Sequence, residues 1–270
     1  ETLNGLVQKF VPIIPSSIRN RFVNWHNAKL AATFDVVIAT TDFAAAEFIR
    51  IKASNLRKVP LGVDLVGFNP ANRSFKLRRE LLKDSQFLLV HCGRMSPEKE
   101  PQRSVQVIAE LVNRGIDARL VIIGGGPLWK KIRKMSEILP VEMVGYVASR
   151  EKVASYLAAA DITLAPGPLE TFCLSALESL ASGTPVVASG SSAVGEILNI
   201  NSIKPAGAVA ADNGISFADE IVKLLKKGNL RKVARYQAEQ FSWANTIDAM
   251  LEIHQAKQPM ITTKRRLKAA

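Results

Sequence analysis

The sequence predicts an α/β protein: a parallel sheet with helices on both faces. From Gln86 onward, short runs of purely apolar residues alternate with stretches of helical periodicity. Continuous apolar strands are buried on both faces, and strands separated by helices run parallel. With 270 residues, 47% of them hydrophobic, the chain is long enough for a full core. The two cysteines, Cys92 and Cys173, provide no disulfide or metal framework in its place.

In chain order, residues 20–34 read as a helix, 35–39 as a strand and 58–64 as a second short strand and turn. Residues 65–75, with Gly67, Asn69, Pro70 and Asn72, read as a linker. The alternating unit follows, with strands at 87–90, 120–123, 142–144, 162–165 and 185–188 and helices near 103–114, 127–138, 151–160, 172–182 and 216–227. Two helical stretches after residue 230 close the chain, the second over "FSWANTIDAMLEIHQ". The expected organisation is an N-terminal remnant at 1–70, the main unit at 71–242, a C-terminal helix at 243–257 and a disordered basic tail at 258–270. About 65 residues with two strands fall short of a domain, so the chain is expected to open on the end of a domain whose beginning is absent. An apolar seam is then expected around residues 20–64.

Lys and Arg outnumber Asp and Glu 36 to 24, a net charge of +12, and five of these cations (Lys257, Lys264, Arg265, Arg266 and Lys268) crowd an acid-free C-terminus. This surplus implies an anionic partner: a phosphate ligand, an acidic lipid or nucleic acid. Nucleic acid is disfavoured, because the chain lacks zinc-finger spacing and an aromatic-glycine strand motif, and its aromatic content is only 6%. No apolar run reaches the length of a membrane span. The cysteine usage suits a reducing, cytoplasmic setting. His26, His91 and His254 have no spaced partners for a metal, and His91 reads as a residue beside the core.

The segment "PGPLETFCLSALESLASGTPVVAS", residues 166–189, holds two acids with seven residues between them. Thr171 reads as a helix cap, and 172–182 as a helix with Leu174, Leu177 and Ala181 on its buried stripe, stopped by Gly183 and Pro185. Glu170 then stands before the helix and Glu178 within it. Eight helical residues rise roughly 12 Å, too far for a shared-proton carboxylate pair and suited to gripping two ends of an extended ligand. The segment follows the carboxyl end of a strand, where open parallel sheets bind their ligands.

"HCGRMSPEKE", residues 91–100, follows the first strand of the unit. Gly93 permits a close backbone turn, Arg94 offers a planar fork and Lys99 a point charge, a pairing that suits a diphosphate. "VIIGGGPLW" invites a dinucleotide reading, but Trp129 stands where the fingerprint needs its third glycine, and no Walker sequence occurs. Gly124, Gly125 and Gly126 read as a tight turn lining the same cleft. Residues 189–192 lack the hydrolase elbow, and Glu196 reads first as a structural residue, with a cap or lining at a helix start near the cleft as the alternative.

These motifs in order (Gly-Arg-x-x-Pro-Glu-Lys, Gly-Gly-Gly-Pro, Gly-Tyr-Val, Glu-x7-Glu and Gly-Thr-Pro-Val-Val-Ala) resemble the donor-binding half of the GT-B retaining glycosyltransferases, the group 1 or family 4 type, over residues 36–254. Around "GPLETFCLSALESLASGTPVV" the chain is similar to actinobacterial GDP-mannose-dependent phosphatidylinositol mannoside mannosyltransferases. The resemblance implies a Rossmann-like donor domain preceded by the tail of a Rossmann-like acceptor domain, most of which would precede Glu1. It implies Arg94 and Lys99 on the donor diphosphate beside Gly93, Glu170 on the sugar hydroxyls and Glu178 on the ribose. The N–H groups of Phe172, Cys173 and Leu174 would meet sugar and phosphate oxygens at the helix N-terminus, with Val147 and Ser149 near the base. Many members carry glycine where this chain has Cys173, a small side chain that a helical backbone accepts. No metal or other cofactor is implied.

The implied function is transfer of a hexose, mannose foremost, from a nucleoside diphosphate sugar to a lipid-linked or glycan acceptor with retention. "KFVPIIPSSIRNRFVNW", with Lys9, Arg19 and Arg21 among Phe10, Ile13, Ile14 and Trp25, suggests peripheral contact with an anionic membrane, on the inner face of the plasma membrane. Two other readings stay open: a nucleotide-sugar-binding remnant without turnover, and a sugar-nucleotide epimerase of the same fold.

Overall fold

The computed structural model describes residues 2–255, so the basic tail expected at 258–270 and the end of the helix expected to reach 257 lie outside the described residues. The N-terminal part comprises α1 (Leu3–Phe10), α2 (Ser16–Thr33), β1 (Val37–Ala39), α3 (Asp42–Arg50) and β2 (Leu56–Lys58), with β1 and β2 paired in parallel. Neither α1 nor α3 was expected. Both are short, and both begin at a threonine whose hydroxyl accepts an N–H of the first turn: Thr2 from Gly5 at 3.1 Å and Thr41 from Ala44 at 3.1 Å. Phe22, Trp25, Phe34 and Ile49 of this part are exposed. No helix among the described residues is long and apolar enough to cross a membrane.

Residues 65–75 form a packed corner where a linker was expected. Asp64 Oδ1 accepts the N–H groups of Val66 and Gly67 at 3.1 and 2.8 Å, Phe68 is buried, and a 3-10 turn at Pro70–Asn72 leads into α4 (Phe75–Leu82). The Gly, Asn and Pro that suggest a linker are the turn chemistry of that corner.

The larger sheet comprises β3 (Phe87–Cys92), β4 (Ala118–Ile123), β5 (Val141–Gly145), β6 (Ile162–Ala165), β7 (Val186–Ser189) and β8 (Gly207–Ala210), all parallel, in the order β5-β4-β3-β6-β7-β8. Its connections carry α5 (Pro101–Asn113), α6 (Trp129–Ser136), α7 (Arg150–Ala159), α8 (Leu174–Ala181), α9 (Val194–Ile197) and α10 (Gly214–Lys226), followed by α11 (Arg231–Ala238) and α12 (Trp243–Gln255). β8 escaped the sequence reading because Gly-Ala-Val-Ala has no bulky apolar run. Successive strand residues feed opposite cores: Leu88 and Val90 join Leu157, Leu177 and Leu180 on one face, while Leu89 joins Ile108, Leu111, Phe217 and Ile221 on the other. Burial on both faces is why these strands contain no polar alternation.

Strand order reverses between β3 and β6. The chain builds outward through β4 and β5, then returns to lay β6 against β3 and builds the other way. Loops leaving two such neighbours diverge and open a crevice at the strands' carboxyl ends.

The two sheets are joined at that end. Glu196 does both things the sequence left open, holding the two sheets together by capping a helix start: Oε2 and Oε1 accept the N–H groups of Asp42 and Phe43, both at 2.8 Å, putting a carboxylate on the positive end of α3. The hydroxyls of Thr40 and Thr41 donate to the Thr171 carbonyl at 3.2 and 2.8 Å. The chain crosses between the sheets at Val63 and again near Ser242, where Val63 N–H donates to the Phe241 carbonyl at 2.9 Å and Thr246 Oγ1 to the Pro60 carbonyl at 2.9 Å.

Candidate functional site

At the reversal point β3 ends at Cys92 and β6 at Ala165, and the loops that follow wall a cavity of about 250 Å³. Gly93, Arg94, Lys99, Glu170, Cys173 and Leu174, all anticipated from the sequence, line it together. His91, read from the sequence only as a residue beside the core, is buried and lines it too.

The first loop is held from beneath. Gly93 N–H donates to the Ile123 carbonyl at 3.0 Å, Met95 N–H to the Gly125 carbonyl at 2.9 Å and Leu128 N–H to the Met95 carbonyl at 2.9 Å. Gly124 and Gly126 have φ of 129° and 152°, and a Cβ on either would fall 1.9 Å from the Gly93 oxygen or 2.6 Å from the Met95 oxygen. The glycine run, expected to line the cleft, is instead the buttress on which the loop lies. Arg94 is exposed, with no hydrogen bond or ion pair to other described residues. Lys99 Nζ lies 2.9 Å from Glu170 Oε1, so the cation and the acid meet across the cavity.

The second loop departs from expectation at three residues. The residue capping α8 is Cys173 rather than Thr171, and Phe172 and Cys173, expected within the helix, precede it, Cys173 with φ 72° and ψ 79° in the left-handed region. Glycine is favoured there because a Cβ crowds the following carbonyl. Cys173→Gly should therefore be more stable than Cys173→Ala by about 1 kcal/mol; urea melts of the pair check this, and equal midpoints would count against strain at 173. Leu174, expected on the buried stripe, is 42% exposed at the cavity, while Ala176, Leu177, Leu180 and Ala181 are buried. The backbone N–H groups of Leu174 and Ser175, at the open end of α8, meet no acceptor among the described residues.

The cavity lining stops short of the remaining anticipated residues. Phe172 is 4% exposed, with its ring edge-on to Phe241 at 6.0 Å. Val147 packs on the core, and Ser149 caps α7 by accepting from Lys152 N–H at 3.1 Å. Glu178 pairs with Arg150 at 3.4 Å, close enough to Cys92 for its charge to act on that thiol.

The sequence profile of the family described as "Glycosyl transferases group 1" matches residues 72–241. The chain belongs to the group 1 glycosyl transferases. It is 43% identical over 242 residues, 88% of its length, to the GDP-mannose-dependent alpha-(1-6)-phosphatidylinositol dimannoside mannosyltransferase of Mycobacterium tuberculosis H37Ra, of which it spans 62%. A D-inositol 3-phosphate glycosyltransferase of Saccharomonospora viridis is 29% identical, with 84% of this chain and 56% of that protein covered. The chain thus spans about three fifths of the length of these curated relatives. Among solved structures, Anabaena Alr3699/HepE in complex with UDP and glucose superposes with a TM-score of 0.74 at 20% identity, over 87% of this chain and 67% of that one. Sucrose-phosphate synthase of Thermosynechococcus elongatus superposes with a TM-score of 0.71 at 22% identity, over 89% and 62%. At such identities the likeness is one of fold, and the fold is the GT-B arrangement the sequence predicts.

In this group 1 glycosyl transferase, burial sets the protonation of the cavity groups. It pushes the Cys92 thiol up to about 12, with Glu178's charge adding to the effect, and Cys173 up to about 12, with Glu170's charge adding, so neither is a thiolate at neutral pH. Burial brings His91 down to about 4, leaving it neutral. Burial also raises the Glu178 carboxyl above the usual range, against the opposing pull of Arg150. The charged groups lining the cavity are then Arg94, Lys99 and Glu170 beside the open end of α8, a set that can take phosphate oxygens and hydroxyls at once.

Proposed function

We propose that this group 1 glycosyl transferase moves mannose from GDP-mannose to a lipid-linked acceptor of the phosphatidylinositol mannoside class, with retention at the anomeric carbon. The observation that carries the reading is the cavity at the reversal point, where two cations, an acid and an open helix start converge. The 43% identical mannosyltransferase supports the choice of sugar and acceptor. Arg94 and Lys99 hold the diphosphate beside Gly93 and meet the charge that develops as the anomeric bond to phosphate breaks. Glu170 takes sugar hydroxyls, and the N–H groups of Phe172, Cys173 and Leu174 take sugar and phosphate oxygens. Glu178 takes the ribose, with Val147 and Ser149 toward the base. The acceptor hydroxyl bonds to the anomeric carbon and its proton leaves with the diphosphate, with no metal required. The test is calorimetry with GDP-mannose and UDP-glucose, followed by product analysis with labelled GDP-mannose and phosphatidylinositol dimannoside in chelator. Binding of neither nucleotide overturns the site; tighter binding of UDP-glucose overturns mannose as the sugar.

Glu170 and Glu178 are expected to separate by ligand. Glu170→Gln weakens GDP-mannose binding and spares GDP, whereas Glu178→Gln weakens both. Titration of each variant with each ligand checks this, and equal losses on both ligands in both variants would refute the division.

We also propose peripheral contact with an anionic membrane on its cytoplasmic face. Exposed Phe10, Ile18, Phe22 and Trp25 stand with Arg21 and Lys29 on the N-terminal helices, and exposed Ile13 in the turn between them, an apolar and cationic mixture suited to a headgroup layer; Lys9 and Arg19, expected among these cations, are engaged by Glu100 at 2.6 Å and Asn4 at 2.8 Å. A chain that fails to co-sediment with anionic vesicles overturns this contact.

A further inference from the structure

His91 has one ring nitrogen fixed and the other unanswered. It is 3% exposed, one residue before the end of β3, and its Nδ1 lies 2.9 Å from Oγ of Ser104, a fully buried residue of α5. That bond fixes the ring plane. Nε2 is buried and has no partner among the described residues. Residues 91 and 93 project to the same side of the strand end. A Cβ on Gly93 would lie 3.7 Å from Nε2 and within 4 Å of nothing else. The bare glycine therefore leaves no side chain over Nε2, and both residues line the cavity. A buried nitrogen left unpaired costs free energy unless a ligand or solvent atom supplies the bond.

We propose that Nε2 of His91 hydrogen-bonds an oxygen of the bound nucleotide sugar, at its diphosphate or its sugar. This rests on reading the cavity as the nucleotide-sugar site. Ser104 decides which ends are compatible. If its hydroxyl donates to Nδ1, Nε2–H donates to a phosphate or hydroxyl oxygen; if Nδ1–H donates to Ser104, Nε2 accepts only from a sugar hydroxyl. The neutral ring binds without a charge of its own.

The experiment is calorimetry of GDP and GDP-mannose with the parent chain, His91→Leu, His91→Gln and Arg94→Ala, with melting curves for each. A glutamine amide reaches close to the position of Nε2, and leucine offers no polar atom. His91→Leu is expected to weaken GDP-mannose binding about fivefold to tenfold, with His91→Gln recovering most of it. Loss on both ligands places the contact at the diphosphate; loss on GDP-mannose alone places it at the sugar. Parent-like binding by a folded His91→Leu overturns the proposal, as does a glutamine variant that binds and melts no better than leucine. A parent that binds neither ligand, or an Arg94→Ala that binds as the parent does, defeats the reading of the cavity itself, a result separable from any effect at His91.

Discussion

Arg94→Ala is expected to bind a nucleoside diphosphate at least about tenfold more weakly than the parent while unfolding at the same urea concentration. The side chain is exposed and makes no hydrogen bond or ion pair with other described residues, so the fold does not depend on it. Its charge acts on Glu98 in the same loop, and its place on the cavity wall suits it to meet a ligand's negative charge, where a charge-assisted hydrogen bond contributes about 1.5–3 kcal/mol. Lys99→Ala gives a mixed result by contrast. Lys99 pairs with Glu170, whose side chain is only 15% exposed, so its removal leaves a carboxylate short of water and of a partner. That variant loses affinity and stability together. Arg94→Lys recovers part of the binding, because an ammonium keeps the charge without the planar fork. Calorimetry with GDP beside urea melts separates the three; parent-like affinity in folded Arg94→Ala would remove the phosphate assignment.

Arg231→Ala is expected to cost about 3 kcal/mol of stability and to lower the melting temperature by about 6–12 °C. The Arg231 guanidinium donates to the carbonyls of Ala158, Ala160 and Ser182 at 2.9, 3.2 and 3.0 Å and to Thr184 Oγ1 at 3.4 Å. Those carbonyls belong to the ends of α7 and α8, where backbone oxygens lack helical partners. One planar cation thus closes two helices at the amino-terminal edge of the sheet, the edge opposite the cavity. Burial brings its pKa down to about 10, with Arg73 beside it pushing the same way, and it remains charged at neutral pH. Arg231→Lys rescues little, since three donors on one nitrogen cannot reach two helix ends. A melting temperature for Arg231→Ala within two degrees of the parent's would show that water replaces these bonds at no cost.

The parallel sheet was legible because strands buried on both faces leave unbroken apolar runs such as Phe-Leu-Leu-Val and Leu-Val-Ile-Ile. β8 was not, because its small residues pack without any hydrophobic signature. The loop carrying Arg94 and Lys99 and the acid at 170 were legible because each follows a strand end, where charge and glycine have few structural reasons to sit together. The left-handed turn at Cys173 was hidden because nothing local distinguishes a cysteine before a helix from one within it. His91 was hidden for a different reason. A histidine inside an apolar run reads as core, and only the tertiary placement of Ser104 and Gly93 shows that one of its nitrogens is spoken for and the other is not.

The two sheets are tied by a double crossing, with Val63 and Phe241 hydrogen-bonded side by side, and by Glu196, Thr40 and Thr41 at the cavity end. Opening the sheets at the cavity end strips a carboxylate from the start of α3 and two hydroxyls from the carbonyl of Thr171, which lies next to Glu170. The Lys9–Glu100 ion pair at 2.6 Å ties the same two parts, so spreading the sheets at the cavity end loads these contacts together, and the Thr171 bonds pass that load to the backbone beside Glu170.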